Sequence, residues 1–368
     1  MSVAPEPGSR PAHTGISRRT AGWLVAAFLV LTLGAVASLV HLPYAILKPG
    51  PAFNTLGRAT DGRDLISVKD RGTFPTSGAL DFTTVSVYGG PGNPVNAWDI
   101  LIGWLDRAST VLPEEEIFPK GRTSKQIESQ NLADMTDSQQ VAVAVALRNL
   151  GLTVPQVVGV AQVQPGSPAA AQLRAGDKLL TVDGVKVTDG AGIREAIQKH
   201  KPGESVRLTV RRRSEVLTLD VPTKASGGRT VLGIVLQTTF DLPVNVVIDA
   251  GDVGGPSAGL MFSLGVYDKL SPGALTGGEQ IAGTGTLAPD GQVGPIGGIA
   301  QKMVGARRDG ARWFLAPADN CNEVVGHVPD GLTVVRVGTF GQARDAVESI
   351  AAHQTGSLPH CTATAAAR

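Results

Sequence analysis

The sequence predicts an α+β protein in which an N-terminal transmembrane helix precedes two folded, strand-rich units. Its 46 glycines and 24 prolines indicate many short strands and turns rather than a helical bundle. Its 368 residues exceed the usual size of one domain. A run of twenty uncharged residues near the start has the length of a bilayer-crossing helix.

That uncharged run is residues 21–40, which we predict to be a membrane anchor. Three arginines precede it, and no Lys or Arg follows it before Lys48. The excess of positive charge on the N-terminal side predicts that residues 1–20 are cytoplasmic and that the rest is extracytoplasmic. The alternative is a cleaved signal peptide, because Ala35-Val36-Ala37 fits a small-residue cleavage site and Ser17-Arg18-Arg19 weakly resembles a twin-arginine signal. Both alternatives place the folded part outside the cytoplasm.

Composition argues against several classes of function. The formal net charge is +1, and the basic run at 211–213 has no interleaved aromatic residues, so we expect no nucleic-acid partner. No G-x-x-x-x-G-K-[ST] loop occurs, which predicts a protein that does not use ATP. The six histidines are scattered and no H-E-x-x-H occurs, so we expect no metal and no other cofactor.

The chain has two cysteines, Cys321 and Cys361. Two cysteines outside the cytoplasm tend to oxidise, and a disulfide between them would hold the C-terminal tail to the domain that contains Cys321. Two free thiols are the alternative.

Residues 151–224 form a block of short strands and turns. Within it, the stretch 163–187 has a Ser-Pro-Ala helix start at Ser167, an Ala-Gly-Asp turn at 175–177 and a Val-Asp-Gly hairpin at 182–184. This stretch resembles the centre of a PDZ domain.

The PDZ resemblance implies that an extended peptide, commonly a C-terminal tail, adds as a strand between a sheet edge and a helix. By position, that helix is residues 189–200. The carboxylate-binding loop should precede the strand 157–163, so Gly151 and Leu152 are the candidates, although the usual Gly-Leu-Gly-Phe-like sequence is absent.

Ser257, in the run Gly-Gly-Pro-Ser-Ala-Gly-Leu, is the candidate nucleophile. Small neighbours let a peptide carbonyl approach its hydroxyl, and the amides of a glycine-rich turn that enters the predicted helix 258–267 can stabilise an oxyanion. Gly254 and Gly255 are the candidate donors, since Pro256 has no N–H.

Lys302 is the candidate general base. It lies on a predicted helix over 299–309 that follows Gly297-Gly298 and has an apolar face. Desolvation and the helix dipole both disfavour an ammonium near the N-terminus of an apolar helix, so we expect a lowered pKa. A neutral amine can then accept the Ser257 proton.

The order of these features resembles the proteolytic domain of the Lon (S16) peptidases: the serine motif, a glycine-rich strand with Ile-Gly-Gly, and a lysine 45 residues after the serine. The resemblance covers 229–350. It extends to 60–150, because the predicted strand at 78–88 and the predicted helix at 135–150 resemble the family's first half, and this would make the PDZ block an insertion. The resemblance implies a Ser-Lys dyad, here Ser257 and Lys302. The sequence shows no counterpart of the family's ATPase module.

Two positions depart from the family pattern. The charged pair that often precedes Gly-Pro-Ser is Val253-Gly254, and the threonine before the Ile-Gly-Gly strand falls at Ala282. Thr284 or Thr286 can take the place of that threonine.

Two rival functions remain open. Gly-Pro-Ser-Ala-Gly also fits the nucleophile elbow of an α/β-hydrolase, which would use Asp309 or Asp319 with His327 or His353. A non-catalytic PDZ scaffold at the membrane is the other.

The predicted protein is therefore a bacterial-type, single-pass, membrane-anchored serine endopeptidase that acts on extracytoplasmic peptides or proteins recruited by the PDZ block. Its predicted regions are a cytoplasmic segment (1–20), the anchor (21–40), a connector with the first part of the Lon-like fold (41–150), the PDZ domain (151–224), the Lon-like proteolytic domain (229–350) and a C-terminal tail (351–368).

Overall fold

A computed structural model describes residues 18–59 and 62–362. Predictions for residues 1–17 and 363–368 lie outside the described residues. The chain divides into two compact units, the first formed by Met1–Leu47 with Val87–Arg122 and the second by Lys48–Ser86 with Thr123–Arg368.

The described residues form helices and strands in the mixed order that the composition predicts. The helices are α1 (Arg18–Leu39), α2 (Ala97–Leu105), α3 (Glu114–Ile117), α4 (Ser124–Asn149), α5 (Gly190–Gln198), α6 (Gly259–Leu270), α7 (Ile299–Arg308), α8 (Cys321–Val324) and α9 (Phe340–Ala351), with 3₁₀ turns at Pro168–Ala171 and Ala318–Asn320. The strands are β1 (His41–Leu42), β2 (Tyr44–Asn54), β3 (Ile66–Val68), β4 (Ala79–Gly89), β5 (Val95–Asn96), β6 (Thr110–Pro113), β7 (Gln156–Val163), β8 (Lys178–Val182), β9 (Val185–Lys186), β10 (Ser205–Arg212), β11 (Glu215–Pro222), β12 (Lys224–Ser226), β13 (Arg229–Val231), β14 (Ile234–Phe240), β15 (Val246–Ile248), β16 (Gln280–Gly283), β17 (Thr286–Leu287), β18 (Val293–Gly294), β19 (Trp313–Pro317) and β20 (Thr333–Val337).

In the first unit, α1 is a 22-residue helix with no buried residue. It is long and apolar enough to cross a membrane, and a signal sequence has the same properties. After α1, β1 pairs with β5 and the first residues of β2 pair with β6. A small core of Ile46, Val95 and Ile100 holds these elements together.

In the second unit, β4, β16, β19 and β20 are consecutive parallel neighbours in one sheet. Helices α4 and α6 pack against each other. The stretch Gly259–Val266 in α6 is buried on every side, which explains why it is apolar apart from Ser263 rather than amphipathic. The fold class is thus confirmed, and strands before and after the PDZ-like block share one sheet, as expected of an insertion.

The PDZ-like block forms its own sheet in the order β11-β10-β8-β7-β14, around a core that includes Val160, Ile193 and Leu208. Helix α5 begins at the N-cap Asp189, close to the predicted helix start. The sheet does not end at residue 224, because β14 pairs with β7 from Ile234 opposite Val163 to Phe240 opposite Gln156. The β-branched and apolar residues of 231–237 predict one strand, but the chain is interrupted at Leu232-Gly233, so that β13 ends before β14 begins.

The apolar positions Val143, Ala146, Leu147 and Leu150 predict a helix over 138–150, and the observed helix α4 is longer. It begins after Thr123, whose side chain accepts the Gln126 N–H while the Gln126 side chain accepts the Thr123 N–H. Its first half is polar and largely exposed, so it lacks the apolar periodicity on which the prediction relied.

Candidate active site

Ser257 lies directly before α6, and its backbone is held by two hydrogen bonds. Its carbonyl accepts the Gly285 N–H at 2.8 Å and the Thr284 hydroxyl at 3.0 Å. The carbonyl of Pro256 accepts the Ser138 hydroxyl at 3.0 Å. These bonds fix the turn and leave the Ser257 hydroxyl free to face a cavity.

The Lys302 side chain extends from α7 to the Ser257 hydroxyl. Gly298, before the first residue of this helix, has φ of 70°, a left-handed conformation that favours glycine. The Lys302 side chain is 3% exposed, within an apolar cluster that includes Ile299 and Met303. Its Nζ lies 2.7 Å from Ser257 Oγ and 3.0 Å from Thr284 Oγ1. The structure therefore brings the two predicted dyad residues into hydrogen-bond contact.

Burial lowers the pKa of Lys302 from 10.5 to about 7, because the ammonium loses its hydration in the apolar cluster. At pH 8 most of the lysine is then a neutral amine with a lone pair. A neutral amine at 2.7 Å from the hydroxyl has the geometry of a general base.

Of the two threonines considered in place of Ala282, Thr284 is the one that lies at the candidate dyad. Its hydroxyl donates to the Ser257 carbonyl, so its oxygen can accept an N–H from Lys302. Thr286 lies in β17, opposite Gly294. Within the described ranges, no hydrogen bond joins Thr286 to Lys302. One threonine thus contacts both members of the candidate dyad.

A cavity of about 570 Å³ opens at Ser257. Its apolar surface suits a hydrophobic side chain of a peptide, and its ionisable lining residues are Asp252 and Lys302. It is lined by Pro51, Phe53, Phe82, Thr83, Thr84, Val85, Met135, Ala250, Gly251, Asp252, Val253, Gly254, Ser257, Ala258, Gly297 and Lys302.

One of the two predicted oxyanion donors is already engaged. The Gly255 N–H donates to the Asn131 carbonyl at 2.9 Å, so it is not available to a substrate. The Gly254 N–H and the Ser257 N–H have no acceptor within the described ranges, and both residues line the cavity. Gly254 with the Ser257 amide is therefore the better candidate pair than Gly254 with Gly255.

The hydrolase alternative finds no support in this geometry. The described residues that line the cavity include no histidine, so neither His327 nor His353 is placed there. Asp309 instead accepts the Ala52 N–H and pairs with Arg308. Asp319 lies in the 3₁₀ turn after β19.

A second groove lies between α5 and the loop that enters β14. Strand β14 ends its sheet, so one of its edges is open to an added strand. The N–H groups of Leu232 and Gly233 have no acceptor in the described part of the chain. The groove has a volume of about 270 Å³ and is lined by Gln164, Arg194, Ile197, Gln198, Ser226, Arg229, Thr230, Val231, Leu232, Gly233, Ile234 and Leu236.

The predicted carboxylate loop at Gly151-Leu152 does not lie in this groove. Both residues lie just after α4, where their N–H groups donate to the carbonyls of Arg148 and Leu147 in its last turn. Leu232-Gly233 occupies the position before the open strand β14 instead, and Ile234 is the first residue of that strand. Gly233 has φ of 78°, and a Cβ there would lie 2.4 Å from Ser167 Cβ, so the loop requires glycine. The apolar-Gly-apolar sequence at the start of this strand is the feature of the sequence from which the carboxylate-binding loop could have been located.

Two further site predictions concern cysteines and metals. The structure joins Cys321 and Cys361 in a disulfide. Among the described residues, no group of three or more His, Cys, Asp or Glu side chains is arranged to hold a metal ion.

Comparison with protein families identifies both domains. Residues 132–223 match the PDZ domain family, and residues 235–347 match the Lon protease (S16) C-terminal proteolytic domain. The chain therefore contains a PDZ domain followed by a Lon-type proteolytic domain, and the family prediction is confirmed at this level. Together they support a serine peptidase with a PDZ domain.

Curated relatives match over about a third of the chain. Lon protease 2 of Bacillus subtilis is 27% identical over 119 residues, which are 32% of this chain and 21% of that protein. Lon protease 1 of Sorangium cellulosum is 32% identical over 130 residues, 34% of this chain and 16% of that protein. The chain thus matches about a fifth or less of these relatives' length. Among solved structures, the PDZ domain of an SdrC-like protein from Listeria monocytogenes is 27% identical, with a TM-score of 0.21, over 22% of this chain and 86% of that one.

Proposed function

We propose that this protein, with its PDZ and Lon-type proteolytic domains, is an ATP-independent serine endopeptidase that uses Ser257 and Lys302 as a catalytic dyad. We further propose that α1 anchors it in the membrane and that it cleaves extracytoplasmic peptides or proteins. The observation that supports the dyad best is the 2.7 Å contact between Ser257 Oγ and the buried Lys302 Nζ. The α/β-hydrolase alternative needs a histidine beside Ser257, and the described residues that line the cavity include none.

In the proposed mechanism, Ser257 Oγ attacks the carbonyl carbon of a peptide bond while Lys302 Nζ accepts its proton. The carbonyl oxygen becomes an oxyanion that the N–H groups of Gly254 and Ser257 stabilise. Lys302 then gives the proton to the leaving amine as the C–N bond breaks. In the second half, Lys302 takes a proton from water, and the water oxygen attacks the acyl carbonyl carbon. Lys302 then returns the proton to Ser257 Oγ as the ester bond breaks and the acid product leaves.

Thr284 is a positioning residue in this scheme, and Thr284→Val should lower kcat by roughly 10- to 100-fold. The substitution removes the oxygen that accepts from Lys302, which leaves the ammonium with one acceptor fewer. The pKa of Lys302 should therefore fall further, and the acidic limb of the kcat/KM profile should move to lower pH. Cleavage of a fluorogenic peptide between pH 5 and 10 measures both effects.

Thr286→Val is the matched control, two residues away in β17, and its rate and pH profile should equal those of the wild type. Equal losses in both variants, or a loss in Thr284→Val with no change in the pH profile, would mean that Thr284 acts only through the fold.

We propose that the groove beside β14 recruits substrates by adding their exposed tails as a strand. Arg194 and Arg229 line it, and no Asp or Glu is among its described lining residues. Tails with a free carboxylate and acidic side chains should therefore bind best. Reversing both charges in Arg194→Glu/Arg229→Glu should weaken the binding of an acidic C-terminal peptide by about tenfold or more, measured by fluorescence anisotropy.

Lys186→Glu, in the exposed β9 hairpin outside the groove, is the control for reversal of a positive charge elsewhere in the domain and should bind like the wild type. Point substitutions test recruitment more cleanly than a deletion of 151–224 would, because the deletion would leave β14 without its partner β7. Equal binding by the reversed and wild-type proteins would contradict recruitment through this groove. If cleavage of an untailed peptide persists in the reversed variant, the dyad proposal stands independently.

A further inference from the structure

Helix α2 exposes an apolar face. Trp98, Leu101, Ile102 and Leu105 follow one another at i, i+3, i+4 and i+7, and are 44%, 43%, 55% and 76% exposed. Trp104, beside this stripe, is 67% exposed. We call these five residues the α2 face.

The opposite side of α2 already packs against protein. Ile100 and Gly103 are the buried residues of the helix, and a Cβ on Gly103 would meet the side chains of Val111 and Ile46. An ordinary surface helix carries its polar residues on the side that faces water. In α2 the sole ionisable residue is Asp99, and its carboxylate accepts the Asn96 N–H in a capping box. The α2 face therefore requires an apolar partner.

The position of α2 beside α1 indicates which partner. The Trp98 indole Nε1 donates to the Gly34 carbonyl at 3.1 Å. Strand β1, directly after α1, pairs with β5, directly before α2, through His41 with Asn96 and Leu42 with Val95. Gly34 lies five residues before the end of α1 at Leu39, about 8 Å along a helix axis. Helix α2 thus lies at the level of the last one to two turns of α1.

We propose that α2 is an interfacial helix whose α2 face inserts into the lipid bilayer at the extracytoplasmic end of α1. This inference rests on the proposed membrane span of α1. Transfer of leucine and isoleucine side chains from water to acyl chains lowers the free energy, and tryptophan favours the boundary between headgroups and acyl chains. Nine residues extend about 14 Å, too short for a helix to cross the hydrocarbon core of about 30 Å, so α2 can lie in the boundary region of the bilayer but cannot span it.

Depth-dependent fluorescence quenching tests this placement in the full chain, reconstituted in phosphatidylcholine vesicles with lipids brominated near the headgroup end of the acyl chains. The four tryptophans are Trp23, Trp98, Trp104 and Trp313. Three single-tryptophan variants, each with phenylalanine at the other three positions, retain Trp23, Trp104 or Trp313. We expect emission from Trp104 and Trp23 to fall at least about twofold, and emission from Trp313 to be unchanged.

The outcomes separate this inference from the membrane anchor itself. Quenching of Trp23 with no quenching of Trp104 would overturn the α2 inference and leave the anchor intact. Quenching of neither would mean that α1 does not insert, and both proposals would fail.

Leu101→Glu/Ile102→Glu/Leu105→Glu in the Trp104 variant provides a second measurement. It should abolish quenching of Trp104, with peptide cleavage in detergent micelles unchanged as evidence of folding. Quenching that persists in this variant would overturn the role of the α2 face.

Discussion

Ser257→Ala should abolish peptide cleavage, with a fall in kcat of about 10⁴-fold or more. The variant keeps every backbone hydrogen bond of the turn, since those bonds use the carbonyl of residue 257 and not its hydroxyl. It lacks only the oxygen that would form the acyl-enzyme. Cleavage of a fluorogenic peptide and thermal unfolding of the same preparation measure the two properties, and the melting temperature should stay close to that of the wild type.

Ser271→Ala, at the other end of α6, is the matched control and should cleave at the wild-type rate. His327→Ala should also remain active. Loss of activity in His327→Ala would favour the hydrolase alternative. If neither the wild type nor any of these variants cleaves a wide set of peptides, the PDZ scaffold becomes the better account.

Lys302→Met should also abolish cleavage, by a similar factor, because methionine has nearly the length of lysine but no lone pair on nitrogen. In the wild type, kcat/KM should rise with pH through an acidic limb near the pKa of Lys302, about 7. Activity below pH 6 equal to that at pH 8 would contradict the neutral amine as base.

The same substitution should stabilise the fold. Burial holds the pKa of Lys302 near 7 in the folded state, whereas an unfolded lysine titrates near 10.5. Above pH 10.5 the lysine is neutral in both states and imposes no such penalty. As the pH falls, the unfolded chain binds the proton first, and the penalty grows to about 4 kcal/mol near pH 7, where it levels off. Lys302→Met should therefore be more stable than the wild type at pH 7, with an advantage that shrinks towards pH 10.

Lys302→Arg has the opposite effect on charge to Lys302→Met, because a guanidinium stays protonated at every accessible pH. It should be inactive and less stable than the wild type at pH 9. Chemical denaturation of the three proteins at pH 7 and 9 measures the differences. A methionine variant less stable than the wild type at pH 7 would mean that the hydrogen bonds of Lys302 outweigh its desolvation.

The features that the sequence predicts well depend on short stretches of chain. The apolar run at 21–40 determines α1, and the PDZ-like helix begins at Asp189, one residue from its observed first residue. Ser257 and Lys302 each lie at a helix start marked by glycines, and the resemblance to Lon peptidases links the two. Pattern and family together therefore locate the candidate dyad before its 2.7 Å contact is measured.

The features that the sequence does not predict depend on distant partners. Gly255 cannot donate to an oxyanion, because its N–H already donates to the carbonyl of Asn131, on a helix more than a hundred residues earlier. The peptide-groove loop at Leu232-Gly233-Ile234 follows the rest of its domain in sequence. The reason is that β14, which offers the open edge, is the last strand of this sheet along the chain. No local periodicity reports such pairings. The sequence likewise could not choose between Thr284 and Thr286, because only the fold shows that Thr284 contacts Lys302.

The most direct test of the dyad is to locate the acyl group during turnover. The protein is mixed at pH 8 with an activated p-nitrophenyl ester of an apolar acyl group, quenched in acid and mapped by peptide mass spectrometry. We predict a burst of nitrophenolate, one acyl group per chain on Ser257, and neither burst nor adduct in Ser257→Ala or Lys302→Met. An adduct on any other residue, or a burst that survives Ser257→Ala, would contradict the proposed Ser-Lys peptidase.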